Sequence, residues 1–239
     1  MRTAAILPVK RFPLAKQRLG ESVADSLRAD LARAMVGDVL SALRECPAVD
    51  TTIVVTCESS VATAARYIDA IVVEDTTEQG QSAAASLGLT KALEEGFERA
   101  LCVPGDCPTL DPDELTDLLG GGTAGVAIVP DRHGKGTNGL LLCPPDALAP
   151  SFGPDSRVRH ERLATEAGVA WRIEEPASLL LDIDTGEDLE VLRLRLAGER
   201  VRAPRTRAVL ARAAADERSA GGSASRPTPS PPDQTTRAA

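Results

Sequence analysis

Four times between residues 4 and 119, a short aliphatic run gives way to a longer run whose apolar residues recur every three to four positions. "AAILPV" (4–9), "TTIVVT" (51–56), "AIVVED" (70–75) and "ALCVPGD" (100–106) have the length and aliphatic, β-branched character of buried strands. Between the first two, residues 21–43 set Val23, Leu27, Leu31, Met35, Val39 and Leu43 four apart, along one helix face. Residues 60–68, 82–97 and 111–119 supply three more helices. The last opens on Asp111 as N-cap with Pro112 in its first turn. Such alternation requires right-handed crossovers and gives an α/β fold with a mostly parallel sheet. It also puts the carboxylate of Asp106 at the end of a buried strand, on the sheet edge where ligands of such folds bind.

The remainder of the chain changes pattern. Two strands, 125–131 and 137–143, flank the charged loop "RHGKG"; a helix (156–167), a strand (169–175), the strand-like "LLLDIDT" (179–185) and a helix (187–196) follow. We expect one folded domain over residues 1–198. Residues 199–239 are rich in Arg, Ala, Ser and Pro and carry little apolar surface, so a disordered tail is expected, with Arg200, Arg202, Arg205, Arg207 and Arg212 on a solvated arm.

Composition narrows the function. A net charge of −8 argues against a nucleic-acid partner, which needs a basic surface. Aromatic residues are only 2 % of the chain, so the core must be aliphatic. The five cysteines lack paired metal-ligand spacing and read as reduced thiols of a cytoplasmic protein. "MRTAAILPVK" lacks the apolar core of a signal peptide, and no run approaches the ~20 apolar residues of a membrane span.

Three segments gather polar residues at predicted strand ends. In "LPVKRFPLAKQRLG" (7–20), Lys10, Arg11, Lys16 and Arg18 fall together with no acid among them. They form either a cradle for a nucleoside triphosphate or a solvated basic turn; neither GxxxxGK nor GxGxxG is present. In "LLLDIDT", Asp182 and Asp184 lie two apart and share one side of an extended chain. Two such carboxylates beside Asp106 suit Mg²⁺ with phosphate oxygens, while Asp184 or Thr185 also suits the N-cap of the following helix. "PDRHGKGTNGLLL" (130–142) and "FGPDSRVRH" (152–160) offer glycines, hydroxyls and a helix N-terminus to an anion. His160 has no metal-ligand spacing and reads as a packing or capping residue.

Taken in order, "LPVKRFPLAKQRL", "VPGDCPTLDP", "PDRHGKGTNGLLL", "FGPDSRVRH" and "LDIDTGEDL" resemble the motifs of the phospholactate and phosphoenolpyruvate guanylyltransferases. These are the CofC-like enzymes of deazaflavin coenzyme biosynthesis, and the resemblance spans residues 4–196. It implies a single-domain nucleotidyltransferase of the GT-A type, with a Rossmann-like sheet flanked by helices. It further implies transfer of GMP from GTP to a phosphorylated three-carbon acid, with Mg²⁺, releasing diphosphate. Phosphoenolpyruvate is the expected acceptor, with 2-phospho-L-lactate and 3-phosphoglycerate as alternatives.

Carried over motif by motif, Pro8, Lys10, Lys16 and Arg18 would bind the nucleotide, and Lys16 and Asp106 would be catalytic. Asp106, Asp182 and Asp184 would hold the metal, and Thr137, Gly153 and Ser156 the acceptor acid. Family members commonly carry Leu-Asn after a glycine where this chain has Gln81-Ser82, so Ser82 would take over the nucleotide contact. Two rival readings are a glycosyltransferase using Asp182-Ile183-Asp184 as its metal motif and a nucleotide-binding protein without turnover. The sequence leaves the oligomeric state open, a homodimer included.

Overall fold

The computed structural model describes residues 1–12, 19, 25–122, 125–198 and 202–222. Strands β1 (Thr3–Val9), β2 (Thr51–Thr56), β3 (Ile71–Val73), β4 (Arg99–Cys102), β5 (Gly125–Pro130), β6 (Thr137–Cys143) and β7 (Trp171–Ile173) form one sheet. Its order is β3-β2-β1-β4-β6-β5-β7. The pairs β1–β2, β1–β4, β2–β3 and β5–β7 are parallel, and β6 runs antiparallel to both its neighbours.

Period-two alternation splits β1 between two cores. Ala5, Leu7 and Val9 pack on one face of the sheet, and Ala4 and Ile6 on the other. Helices α1 (Asp25–Glu45), α2 (Ser59–Tyr67) and α4 (Pro112–Gly120) cover one face and α3 (Gln81–Glu94) and α5 (Ser156–Glu166) the other, while α6 (Gly186–Leu196) packs on α1 in a third cluster. Of the row expected on α1, Leu31, Met35, Val39 and Leu43 are fully buried and Leu27 half-buried, while Val23 lies outside the described residues. Asp111 caps α4 by accepting from the amide of Asp113, with Pro112 at its start. Helix α3 lies close on β1 and β2, because a Cβ on Gly88 would sit 2.3 Å from Ile6 Cγ2.

The chain winds outward from β1 through β2 to β3, then returns to place β4 on the opposite side of β1. A crevice opens at such a switch point, beyond the carboxyl ends of β1 and β4. Pro8 sits beside it without loss to the sheet. The last amide bond from this side is Val103 N–H to Ile6 C=O, at 3.0 Å, so no carbonyl of β4 is left for a donor at residue 8.

Two sequence expectations need correction. Residues 179–185 belong to no strand: Leu179 ends a turn, its amide donating to the carbonyl of Pro176, and the chain beyond it is irregular. The carbonyls of Leu179 and Leu180 accept from the side chain of Asn138, so a neighbouring strand finds no ladder there. The expected tail also contains a packed helix, α7 (Pro204–Gly222). The buried carboxylate of Asp38 on α1 accepts from the amides of Arg205 (3.1 Å) and Thr206 (2.8 Å), capping α7 from another helix. Ala203 and Leu210 then bury against Leu31 and Met35. Arginine density hid this face: Ala203, Thr206 and Leu210 are spaced as a helix requires, and all three are buried.

Candidate active site

A cleft of about 900 Å³ opens at the switch point. It is lined by Pro8 and Lys10 from the end of β1, Asp106 beyond β4, Thr137 and Asn138 at the start of β6, Gly153 and Ser156 before α5, and Asp182 and Asp184. The crossover topology thus collects residues from five distant segments at one sheet edge. Lys16 and Arg18 lie outside the described residues.

The acidic wall is built by loops. Strand β4 ends at Cys102, since Pro104 and Gly105 cannot continue it, and the chain turns to present Asp106. The amide of Ile183 donates to the carbonyl of Asp106 at 3.1 Å, which draws the 179–185 segment alongside. Thr109 Oγ1 donates to the carbonyl of Ser178, and the amide of Asp111 donates to Ser178 Oγ. Asn138 Nδ2 donates to Asp182 Oδ1 at 3.2 Å and fixes that carboxylate. Burial, then the charge of Asp106, with Asp184 adding to it, push the Asp182 carboxyl up to about 6.

No group of three metal-ligating side chains converges among the described residues. Asp106, Asp182 and Asp184, which the sequence suggested as a set, all line the cleft, and both of the others act electrostatically on Asp182. The stronger of these influences on Asp182 comes from Asp106, and such carboxylates could hold Mg²⁺, an ion that takes one or two carboxylates and completes its shell with phosphate and water oxygens. The adjoining cap on α6 belongs to Thr185, in a reciprocal capping box with Asp188.

Thr137, Gly153 and Ser156 bring hydroxyls and a glycine to the cleft, with the charged Asp131, Lys135 and Asp155 lining it beside them. His160 is fully buried, and its Nε2 accepts from the amide of Ser151 at 2.8 Å. Its Nδ1 lies 3.0 Å from Thr137 Oγ1, and Ser156 Oγ donates to the same Thr137 oxygen at 3.1 Å. Burial, reinforced by Arg159, lowers the His160 pKa to about 4, so the ring is neutral at physiological pH. Two amides at the α5 N-terminus are already engaged, Ser156 with the carbonyl of Gly153 and Arg157 with that of Lys135. The left-handed backbone at Gly153, φ +114°, bends the chain into the cleft at a conformation that favours glycine.

Other expected residues sit elsewhere. Ser82 does not line the cleft. Its hydroxyl accepts from the amide of Phe152 at 2.9 Å and so braces the loop that carries Gly153. Arg132 turns away to Asp188 (2.7 Å) and Glu187 (3.0 Å), leaving Lys135 as the cation of its loop that faces the cavity. Sequence reasoning missed Asp75, Glu78 and Gln81, which line the far end of the cleft around the start of α3. The available signal was the position of Asp75 just beyond β3, the same edge rule that singled out Asp106. It also missed Asn138 as the clamp on Asp182.

The chain matches the family model described as guanylyl transferase CofC like over residues 3–206. It is 49 % identical over 213 residues to the phosphoenolpyruvate guanylyltransferase of Conexibacter woesei, covering 88 % of this chain and 96 % of the relative. It is 31 % identical over 202 residues to the 2-phospho-L-lactate guanylyltransferase of Methanothermobacter thermautotrophicus, covering 84 % and 89 %. Among solved structures, a 4-diphosphocytidyl-2C-methyl-D-erythritol synthase superposes with a TM-score of 0.58 at 18 % identity, over 82 % of this chain and 98 % of that one. The last is a likeness of fold alone.

Proposed function

Because the chain belongs to the CofC-like guanylyl transferase family, we propose that its cleft transfers GMP from GTP to phosphoenolpyruvate. An oxygen of the acceptor phosphate attacks the α-phosphorus of GTP. The bond from that phosphorus to the β-phosphate oxygen breaks, and diphosphate leaves with the electron pair. The acceptor phosphate is already ionised at neutral pH, so the step needs no general base. The protein's share is orientation and charge neutralisation. The family sets aside the glycosyltransferase reading of Asp182-Ile183-Asp184.

One observation carries the site assignment: a single cleft is lined both by the coupled carboxylates Asp106 and Asp182 and by Thr137, Gly153 and Ser156. The carboxylate pair is the place for Mg²⁺, which, when bound, offsets the charge of the reacting phosphates. The elevated pKa of Asp182 supports that placement, since burial and then the charge of Asp106 disfavour its carboxylate, and a bound cation would offset both. Lys10 extends the site toward the triphosphate, and the family resemblance adds Lys16 and Arg18. The hydroxyls of Thr137 and Ser156, with the glycine at 153, suit the carboxylate of the three-carbon acid. GTP and phospho-acids are cytoplasmic metabolites, and no described helix is long and apolar enough to cross a membrane.

The test is an acceptor panel. Purified protein with GTP and Mg²⁺ is given phosphoenolpyruvate, 2-phospho-L-lactate or 3-phosphoglycerate, and the products are weighed by mass spectrometry. The expected result is a guanylylated phosphoenolpyruvate with stoichiometric diphosphate. Turnover with another of the acids alone would reassign the acceptor, and GTP binding without any adduct would overturn the activity.

A further inference from the structure

His160 holds a position that its burial alone does not explain. Both of its ring nitrogens are engaged, and the two bonds together fix where the proton sits. A backbone amide can only donate, so the Ser151 N–H at 2.8 Å requires a bare Nε2. A neutral imidazole then carries its proton on Nδ1, which can only donate to Thr137 Oγ1 at 3.0 Å. Ser156 Oγ donates to the same oxygen. Both lone pairs of the Thr137 hydroxyl are thus taken by protein donors. The one hydrogen-bonding capacity left to that hydroxyl is its own proton, on a side chain that lines the cleft.

The geometry points to His160 as a positioning residue that locks Thr137 as an obligate hydrogen-bond donor to the carboxylate of the acceptor acid, with Ser156 as its second support. The inference rests on the reading of this wall as the acceptor site. An unsupported threonine hydroxyl rotates and is as ready to accept as to donate. With both acceptor positions filled, it presents a proton to an anion at no reorientation cost, which is the value of a preorganised donor. The same arrangement discriminates against a ligand group that only donates. It also gives Ser156 a different role from that expected of a helix-terminal hydroxyl, because its proton is directed at Thr137. The ring is held for this task by Phe152, whose ring packs edge-on at 5.3 Å, and Phe152 is itself tied by its amide to Ser82.

Two isosteric variants separate positioning from packing. In His160→Asn, the side-chain amide nitrogen replaces Nδ1 and keeps the bond to Thr137 while losing the contact to Ser151. In His160→Gln, the side-chain oxygen reaches the Nε2 position, satisfies Ser151 and leaves Thr137 without its donor. We expect His160→Gln to raise the KM for phosphoenolpyruvate about tenfold, the scale of one hydrogen bond to a charged group. The KM for GTP should stay within about twofold, and His160→Asn should retain near-normal acceptor KM; melting curves check that both variants fold. Equal acceptor KM values for the two variants would reduce His160 to packing and overturn the inference.

Thr137→Val provides the control on the underlying reading. It should raise the acceptor KM at least as much as His160→Gln, with no further rise when the two are combined. If Thr137→Val leaves the acceptor KM unmoved, the acceptor-site reading fails and takes the inference with it. Nitrogen NMR of isotope-labelled histidine tests the tautomer apart from any kinetics. The protein has two histidines, so the signals are readily assigned. A protonated Nδ1 and bare Nε2 on His160 are expected, and the reverse would overturn the lock whatever the kinetics show.

Discussion

The amide of Ile183 donates to the carbonyl of Asp106 across 3.1 Å, joining residues 77 positions apart in the chain (183 − 106). This single bond draws Asp182 to the side of Asp106 and makes the acidic wall of the cleft. Burial, and after it the charge of Asp106, disfavour the Asp182 carboxylate there. Holding the Asp182 carboxylate at a raised pKa trades stability for binding.

That trade is measurable. Asp182→Asn should raise the melting temperature by a few degrees in metal-free buffer at pH 8 and abolish guanylyl transfer. Asp106→Asn should likewise stop turnover. Mg²⁺ with GTP should stabilise the wild type against heat far more than either variant. A lower melting temperature for Asp182→Asn without metal would show that the pair is held favourably and that the charge argument is wrong.

Helix α7 depends on a cap from outside itself. Asp38→Ala leaves the amides of Arg205 and Thr206 without their buried acceptor and should cost about 2 kcal/mol or more. Calorimetry should show a melting temperature several degrees lower. The acceptor and GTP KM values should be unchanged, because Asp38 does not line the cleft. A variant as stable as the wild type would mean that α7 docks through its apolar face alone.

Gly88 tests the packing that brings the start of α3 to the site. A methyl group there would sit 2.3 Å from Ile6 Cγ2 and 3.1 Å from Val55 Cγ2, both in the central strands. Gly88→Ala should destabilise the fold by about 1–3 kcal/mol, as overpacking does, despite the better helix propensity of alanine. Denaturant titration reads this directly, and a stabilised variant would contradict the close approach.

The neutral His160 predicts a pH dependence with a definite sign. Its folded pKa, about 4, lies below the ordinary 6.5, so the unfolded chain binds more protons between those values. Its contribution to stability is complete above pH 6.5 and is lost as pH falls toward 4, by roughly 3 kcal/mol in all. Arg159 is the charged neighbour that adds to the burial penalty, and the other contacts of the ring, Ser151, Phe152 and Thr137, are neutral. The melting temperature of His160→Asn should fall less steeply than the wild type over that range. Parallel curves would place the titrating group elsewhere.

Much of this was legible in the sequence, for physical reasons. Strands β1, β2 and β6 lie where their aliphatic runs predict, and the parallel topology follows from the alternation with helices. The edge rule then located Asp106, and the motifs located Thr137, Gly153 and Ser156 on the same cleft. What failed were features whose bonding partners lie far away in the chain. Residues 179–185 look like a strand until Asn138 takes their carbonyls. Helix α7 looks like a solvated arm until Asp38 supplies its cap. His160 is a lone histidine without spacing to any partner, and only the fold brings Ser151 and Thr137 to its two nitrogens.

The central claim is that one cleft holds donor and acceptor together and transfers GMP in a single displacement, with no nucleophile from the protein. GTP made chiral at the α-phosphorus with sulfur and heavy oxygen tests it most directly. After turnover with phosphoenolpyruvate, the configuration at that phosphorus is read in the guanylylated product. A single in-line attack predicts inversion. Retention would require a guanylyl-enzyme intermediate and two displacements, and would contradict the account.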